Sequence, residues 1–151
     1  MKFRFVDAIS RIKKNEYMKG HKAVSFEEGF LKRPYCKSGF LPRTLLMETL
    51  AQLASWLIVY STDFKLKPVL ACVDKIEIFA DARTGDLIEI DCALINLTGE
   101  GAHFNVSGAV GGREIIKASS CVAGLVGLET LENVNDVRTM FARLSEKAVY
   151  L

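Results

Sequence analysis

Apolar and polar positions change rhythm several times along the chain. Residues 6–12 and 16–24 read as two extended segments joined by the polar Lys13-Lys14-Asn15 turn. Residues 26–42 hold Pro34, Gly39 and several basic side chains in no period, which predicts a long loop of the kind that carries function. Residues 42–62 contain no internal Gly or Pro and start on Pro42, so a helix is expected there. Its apolar residues, among them Leu46, Met47, Leu50, Leu53, Trp56 and Leu57, cover most of the circumference, so other elements should wrap it. After Pro68 come four β-rich runs at 69–79, 87–98, 102–110 and 113–126, separated by Gly85-Asp86, Gly99-Glu100-Gly101 and Gly111-Gly112. The Gly-Gly pair suits a two-residue turn with positive φ. Asn135-Asp136 can cap a last helix in which Val137, Met140, Phe141 and Leu144 recur at helical spacing. That amphipathic helix should dock on the body or on a partner.

Two strands, a buried helix and four more strands predict an α+β fold in which a curved, mostly antiparallel sheet wraps one long helix. The expected division is a body at 1–127 and a C-terminal extension with the amphipathic helix at 128–151. At 151 residues the chain can bury a core without disulfide or metal staples. The formal charge is only +2, without long like-charge runs, which speaks against a nucleic-acid surface. The apolar window at 53–60 falls short of the roughly 20 residues of a membrane helix. The basic N-terminus meets Asp7, Ser10 and Arg11 before any signal-peptide core can form, so a cytoplasmic protein without membrane contact is expected. Cys36, Cys72, Cys92 and Cys121 lack the spacing of a metal site and read as reduced thiols. No metal or cofactor is expected, since the phosphate-loop, dinucleotide and zinc-protease motifs are missing.

The chemistry concentrates in the long helix. Thr44, Glu48, Gln52 and Ser55 share one polar ridge on an apolar cylinder. Either the ridge faces water or a dimer seam and Glu48 is solvated, or Glu48 is a partly desolvated carboxylate able to act as an acid or base.

These residues resemble the β-hydroxyacyl-acyl carrier protein dehydratases of the hot-dog fold. The segment Leu41-Pro-Arg-Thr-Leu-Leu-Met-Glu-Thr-Leu-Ala-Gln52 is similar to that family's central helix motif, and Glu48 takes the place of its catalytic acid. Lys22-Ala-Val-Ser-Phe-Glu-Glu-Gly-Phe-Leu31 looks like the strand and turn that precede it, and Val73-Asp-Lys75, Phe79 and Gly85-Asp86 resemble a downstream segment. The likeness spans about residues 3–126. It implies a 3-hydroxyacyl thioester substrate, with a His removing the C2 proton and the acid protonating the leaving hydroxyl. Two positions depart from the pattern. Counted back without a gap, Gly-His-Phe-Pro falls on Arg33-Pro34-Tyr35-Cys36, so Pro34 stands where the general base belongs. Arg43 replaces the glycine at the helix start, where a backbone amide can still polarise a thioester carbonyl while the cation narrows the site or pairs with an anion.

The resemblance implies a substrate-binding set of Tyr35, Gly39, Pro42, Arg43, Thr44 and Gln52 around Glu48, with Tyr35 a packing or pocket-wall aromatic. His21 and His103 fall in predicted strands and read as structural; Cys36 is a loop thiol or, less simply, a nucleophile. Lys32, Arg33, Lys37 and Arg43 would suit an acidic carrier or a phosphopantetheine phosphate, or are ordinary solvated side chains. The family builds each site from two subunits, which implies a homodimer, or a heterodimer in which a His-bearing homologue completes the site of Glu48. Three functions follow: a dehydratase-like protein of fatty-acid or related acyl-chain biosynthesis acting on acyl carrier protein or coenzyme A thioesters, a thioesterase using Glu48 alone, or a non-catalytic acyl-binding subunit.

Overall fold

The structure is a computed structural model that describes residues 4–27 and 39–151. Strands β1 (Ala8–Lys13) and β2 (Tyr17–Ala23) pair antiparallel across a turn in which Asn15 has φ 64, a conformation that asparagine tolerates better than most residues. Helix α1 (Arg43–Ser61) follows, then β3 (Leu66–Ile78), β4 (Leu87–Leu97), β5 (Gly101–Val110) and β6 (Arg113–Gly127). A short 3-10 turn at Leu128–Thr130 leads into α2 (Val134–Leu144) and a final two-residue strand, β7 (Val149–Tyr150). All strands join one sheet in the order β3-β6-β5-β4-β2-β1-β7, antiparallel throughout except for the parallel β1–β7 pair.

The sheet curls around α1, the arrangement that the sequence predicts. In the first half of β4 the alternation is strict: Ile88, Ile90 and Cys92 are buried while Leu87, Glu89 and Asp91 face outward. These side chains meet Leu46, Leu50, Leu53 and Leu57 of α1 in a continuous core. Two glycines allow the close approach of sheet and helix. A Cβ at Gly20 would stand 2.8 Å from both the Ala8 carbonyl oxygen and Leu53 Cδ1, and one at Gly108 would stand 3.3 Å from Leu50 Cδ1. Inward-facing Lys22 is only 3% exposed; its ammonium donates to the Ala23 carbonyl at 3.0 Å and lies 3.8 Å from the Asp7 carboxylate.

Several boundaries differ from expectation. Helix α1 begins one residue after Pro42, which stands near the first turn as expected and serves as the N-cap, its carbonyl accepting from the Leu46 amide at 2.9 Å. Strand β3 starts before Pro68 rather than after it; the strand lies at the sheet edge, where a missing N–H disrupts no interior ladder. Helix α2 is capped by Asn133 rather than Asn135 or Asp136, because the Asn133 side chain accepts from both of their amides, at 2.9 and 3.2 Å. The Gly111-Gly112 turn has φ 58 and 77, as predicted.

Helix α2 docks on the body through an aromatic cluster. The Phe141 ring stacks on Tyr60 at 5.0 Å and meets Trp56 at 5.8 Å and Phe64 at 5.4 Å. Arg138 lies over the Phe64 ring at 4.5 Å and donates to the Asp63 carbonyl at 3.0 Å. The chain then turns back so that β7 pairs with Arg11 and Ile12 on the β1 edge, and the Leu151 amide donates to the Ile12 carbonyl at 2.9 Å. At the opposite edge β3 has a single strand partner, β6, among the described residues, and Val69, Leu70 and Ile76 are exposed along it.

Candidate functional site

Glu48 sits in the second turn of α1, exposed at the mouth of a groove of about 430 Å³. The groove runs along α1 past Gln52, Ser55 and Trp56, between β3 on one side and α2 on the other. A relay of hydrogen bonds orients the carboxylate. The Phe5 amide donates to Gln52 Oε1 at 2.8 Å, which leaves the Gln52 amide group to donate to Glu48 Oε1 at 2.9 Å. The second oxygen, Oε2, accepts no bond from a described residue. Such a carboxylate can take or give a proton, or attack a carbonyl.

The other residues of the expected set are distributed around the start of α1. Arg43 donates through Nε to Asp81 Oδ1 at 2.8 Å, so its charge is paired with a carboxylate, one of the two roles expected for it. The pairing raises the Arg43 pKa further, chiefly through that hydrogen bond and then through the charge of Asp81. Thr44 is exposed on the first turn and does not line the groove with Glu48, Gln52 and Ser55. Gly39, with φ 80, accepts from the Thr84 amide at 2.9 Å, and the Leu41 amide donates to the Ala82 carbonyl at 2.8 Å. These bonds fasten the segment before α1 to the turn after β3 and so place Pro42. Tyr35, with Lys32, Arg33, Pro34, Cys36 and Lys37, lies outside the described residues.

His21 and His103 both take places in the sheet, His21 between Ala8 and Glu89, His103 between Asn96 and Val122. Neither lines the groove, and His103 Nε2 is buried without a hydrogen-bond partner among the described residues. Burial pushes the Cys121 thiol up to about 11, with nearby Cys72 adding to the shift, and pushes Cys92 higher still. Neither thiol is a nucleophile at neutral pH. No group of three His, Cys, Asp or Glu side chains able to hold a metal occurs among the described residues. No helix among them is long and apolar enough to cross a membrane.

Two parts of the site go beyond the sequence reading. The Phe5 main-chain donor has no sequence signature. Met140 and Leu144 belong to the predicted amphipathic stripe, but spacing alone did not place that stripe against the groove of Glu48.

No family model matches the chain. Curated proteins do. The 3-hydroxyacyl-(acyl-carrier-protein) dehydratase FabZ of Caldicellulosiruptor saccharolyticus is 33% identical over 98 residues, 64% of this chain and 70% of that protein. The corresponding protein of Caldicellulosiruptor bescii is 30% identical over 98 residues with the same coverage. Among solved structures, a Streptococcus mutans protein bound to acetyl CoA superposes with a TM-score of 0.64 at 16% identity, covering 84% of this chain and 92% of that one. A hot-dog-like protein from Thermanaerovibrio acidaminovorans gives 0.61 at 18% identity, covering 83% and 90%. With the wrapped helix, the acid in its second turn and these relatives, the chain belongs to the 3-hydroxyacyl-(acyl-carrier-protein) dehydratase family and has its hot-dog fold.

Proposed function

We propose that this chain binds acyl thioesters in the α1 groove and supplies Glu48 as the acid in the elimination of water from a 3-hydroxyacyl group. The observation that carries the reading is the Phe5–Gln52–Glu48 relay, which holds one carboxylate against the groove along α1. In the reaction a base removes the C2 proton, the C2–C3 double bond forms, and the C3–O bond breaks as Glu48 protonates the departing hydroxyl to water. Pro34 cannot be the base, and neither His lines the groove. The base is therefore assigned to a His-bearing homologue paired with this chain. Such pairing has a natural place: Pro68 and Leu70 on the β3 edge line the same groove as Glu48, so a second subunit on that edge would cover the carboxylate. A homodimer uses the same edge. The body at 1–127 is assigned the chemistry, and the extension at 128–151 one wall of the groove. A cytoplasmic place in acyl-chain biosynthesis, with acyl carrier protein or coenzyme A carrying the substrate, belongs to the same reading.

One observation favours a second reading. Glu48 faces the groove without a His from any described residue, which also suits a thioesterase with the carboxylate as base or nucleophile. Intact mass spectrometry of a 3-hydroxyacyl carrier protein separates the two. The chain should be incubated alone and with a His-bearing homologue of the same fold, each beside Glu48→Gln. Loss of water that needs Glu48 supports the dehydratase reading, and loss of the whole acyl group supports the thioesterase. An unchanged mass in both incubations, with the acyl carrier still bound, leaves a binding subunit without chemistry. Turnover that survives in Glu48→Gln rules out both enzymes.

A further inference from the structure

The groove changes character along its length. At one end stand Glu48, Gln52 and Ser55; toward the other, Trp56 and Val59 of α1 face Val137, Met140 and Leu144 of α2. Glu48 and Val59 are eleven residues apart on the same helix face, roughly 16 Å along the axis. A ligand with a polar reacting group and a long apolar tail matches that gradient, and a volume of about 430 Å³ lies within the range of small-molecule sites.

We propose that α2 is the measuring wall of this groove, and that Met140, flanked by Val137 and Leu144, sets the longest acyl chain that fits. The proposal rests on the acyl-thioester reading above and goes beyond it by naming what limits the tail. Three observations carry it. Val137, Met140 and Leu144 lie on one stripe of α2, and all three line the groove. The wall is fixed rather than hinged, because Phe141 is stacked on Tyr60 and packed against Trp56 and Phe64, while Arg138 holds the Asp63 carbonyl. Val137 is further pinned in a small buried cluster with Val59 and Leu128. Against that fixed frame Met140 is only half-buried, so its unbranched thioether is the part of the wall with room to meet a tail. Charged side chains line the groove as well: Lys67 and Glu132 form an ion pair at 2.7 Å, and Arg4 and Asp136 also reach it, so the apolar stretch is the one between Trp56, Val59, Val137, Met140 and Leu144.

The test is calorimetric titration of the full chain with a homologous series of saturated acyl pantetheine thioesters, short to long, for the parent, Met140→Trp and Met140→Ala. The tryptophan variant should lower the ratio of long-chain to short-chain affinity about tenfold, the worth of roughly two methylenes pushed out of the groove. The alanine variant should shift the preferred length upward. If Met140→Trp does not fold, Met140→Ala alone decides the matter. A length profile identical to the parent in the folded variants overturns the measuring role and leaves the acyl-thioester reading standing. Failure of the parent to bind any member overturns both.

Discussion

Glu48 owes its orientation to a side chain that is itself oriented by the main chain. Because the Phe5 amide takes Gln52 Oε1, only the amide nitrogen is left to face the carboxylate. Gln52→Leu keeps the apolar contacts but removes a hydrogen bond to a charged group, about 1.5–3 kcal/mol. Acyl-thioester turnover should fall roughly tenfold to a hundredfold, mostly in kcat, with an unchanged circular dichroism spectrum. The ridge of Glu48, Gln52 and Ser55 was legible from spacing, since residues three and four apart share a helix face. The Phe5 donor was not, because a backbone amide looks alike in every residue. Arg43 illustrates the same limit: its cation was evident, but its partner, Asp81, becomes a neighbour only through the fold. Among the described cysteines, exposed Cys72 should be alkylated by iodoacetamide at neutral pH, as intact mass will show. Cys121, held protonated until the pH approaches about 11, and buried Cys92 should remain unmodified until the protein unfolds.

Elements with a clear period or turn chemistry were readable in advance: α1, the four long strands, and the Gly111-Gly112 hairpin whose two residues both take positive φ. Their ends were harder, because a cap depends on which side chain reaches the free amides. Asn133 does so and the more conspicuous Asn135-Asp136 pair supplies the amides instead. Strand β7 escaped altogether, since two residues have no period and it exists only through its pairing with β1. The docking of α2 turns on a single ring. Phe141→Ala removes a buried side chain that three other aromatic rings enclose, and should cost about 3–5 kcal/mol in urea unfolding. Hydrogen exchange should quicken across residues 134–144 in that variant before it does in the sheet.

The whole molecule presents two sheet edges that differ sharply. Along the thirteen residues of β3, Val69, Leu70 and Ile76 are exposed among Lys67, Asp74, Lys75 and Glu77, on a long edge that monomers usually cover. A second copy paired there would cover these apolar side chains together with the side of the groove that Pro68 and Leu70 line. Light scattering should give twice the chain mass for the parent, and half that value for Ile76→Lys, which places a charge on the β3 edge without touching the groove. At the far side the sheet ends in β7, only two residues paired in parallel with Arg11 and Ile12 of β1, too short a strand to template a long ladder. If two copies join through β3, the pair behaves as a polymer chemist's monovalent unit: each partner spends its long edge on the other, the two residues of β7 offer little strand for a third, and growth of the sheet stops at two rather than running on into a fibre.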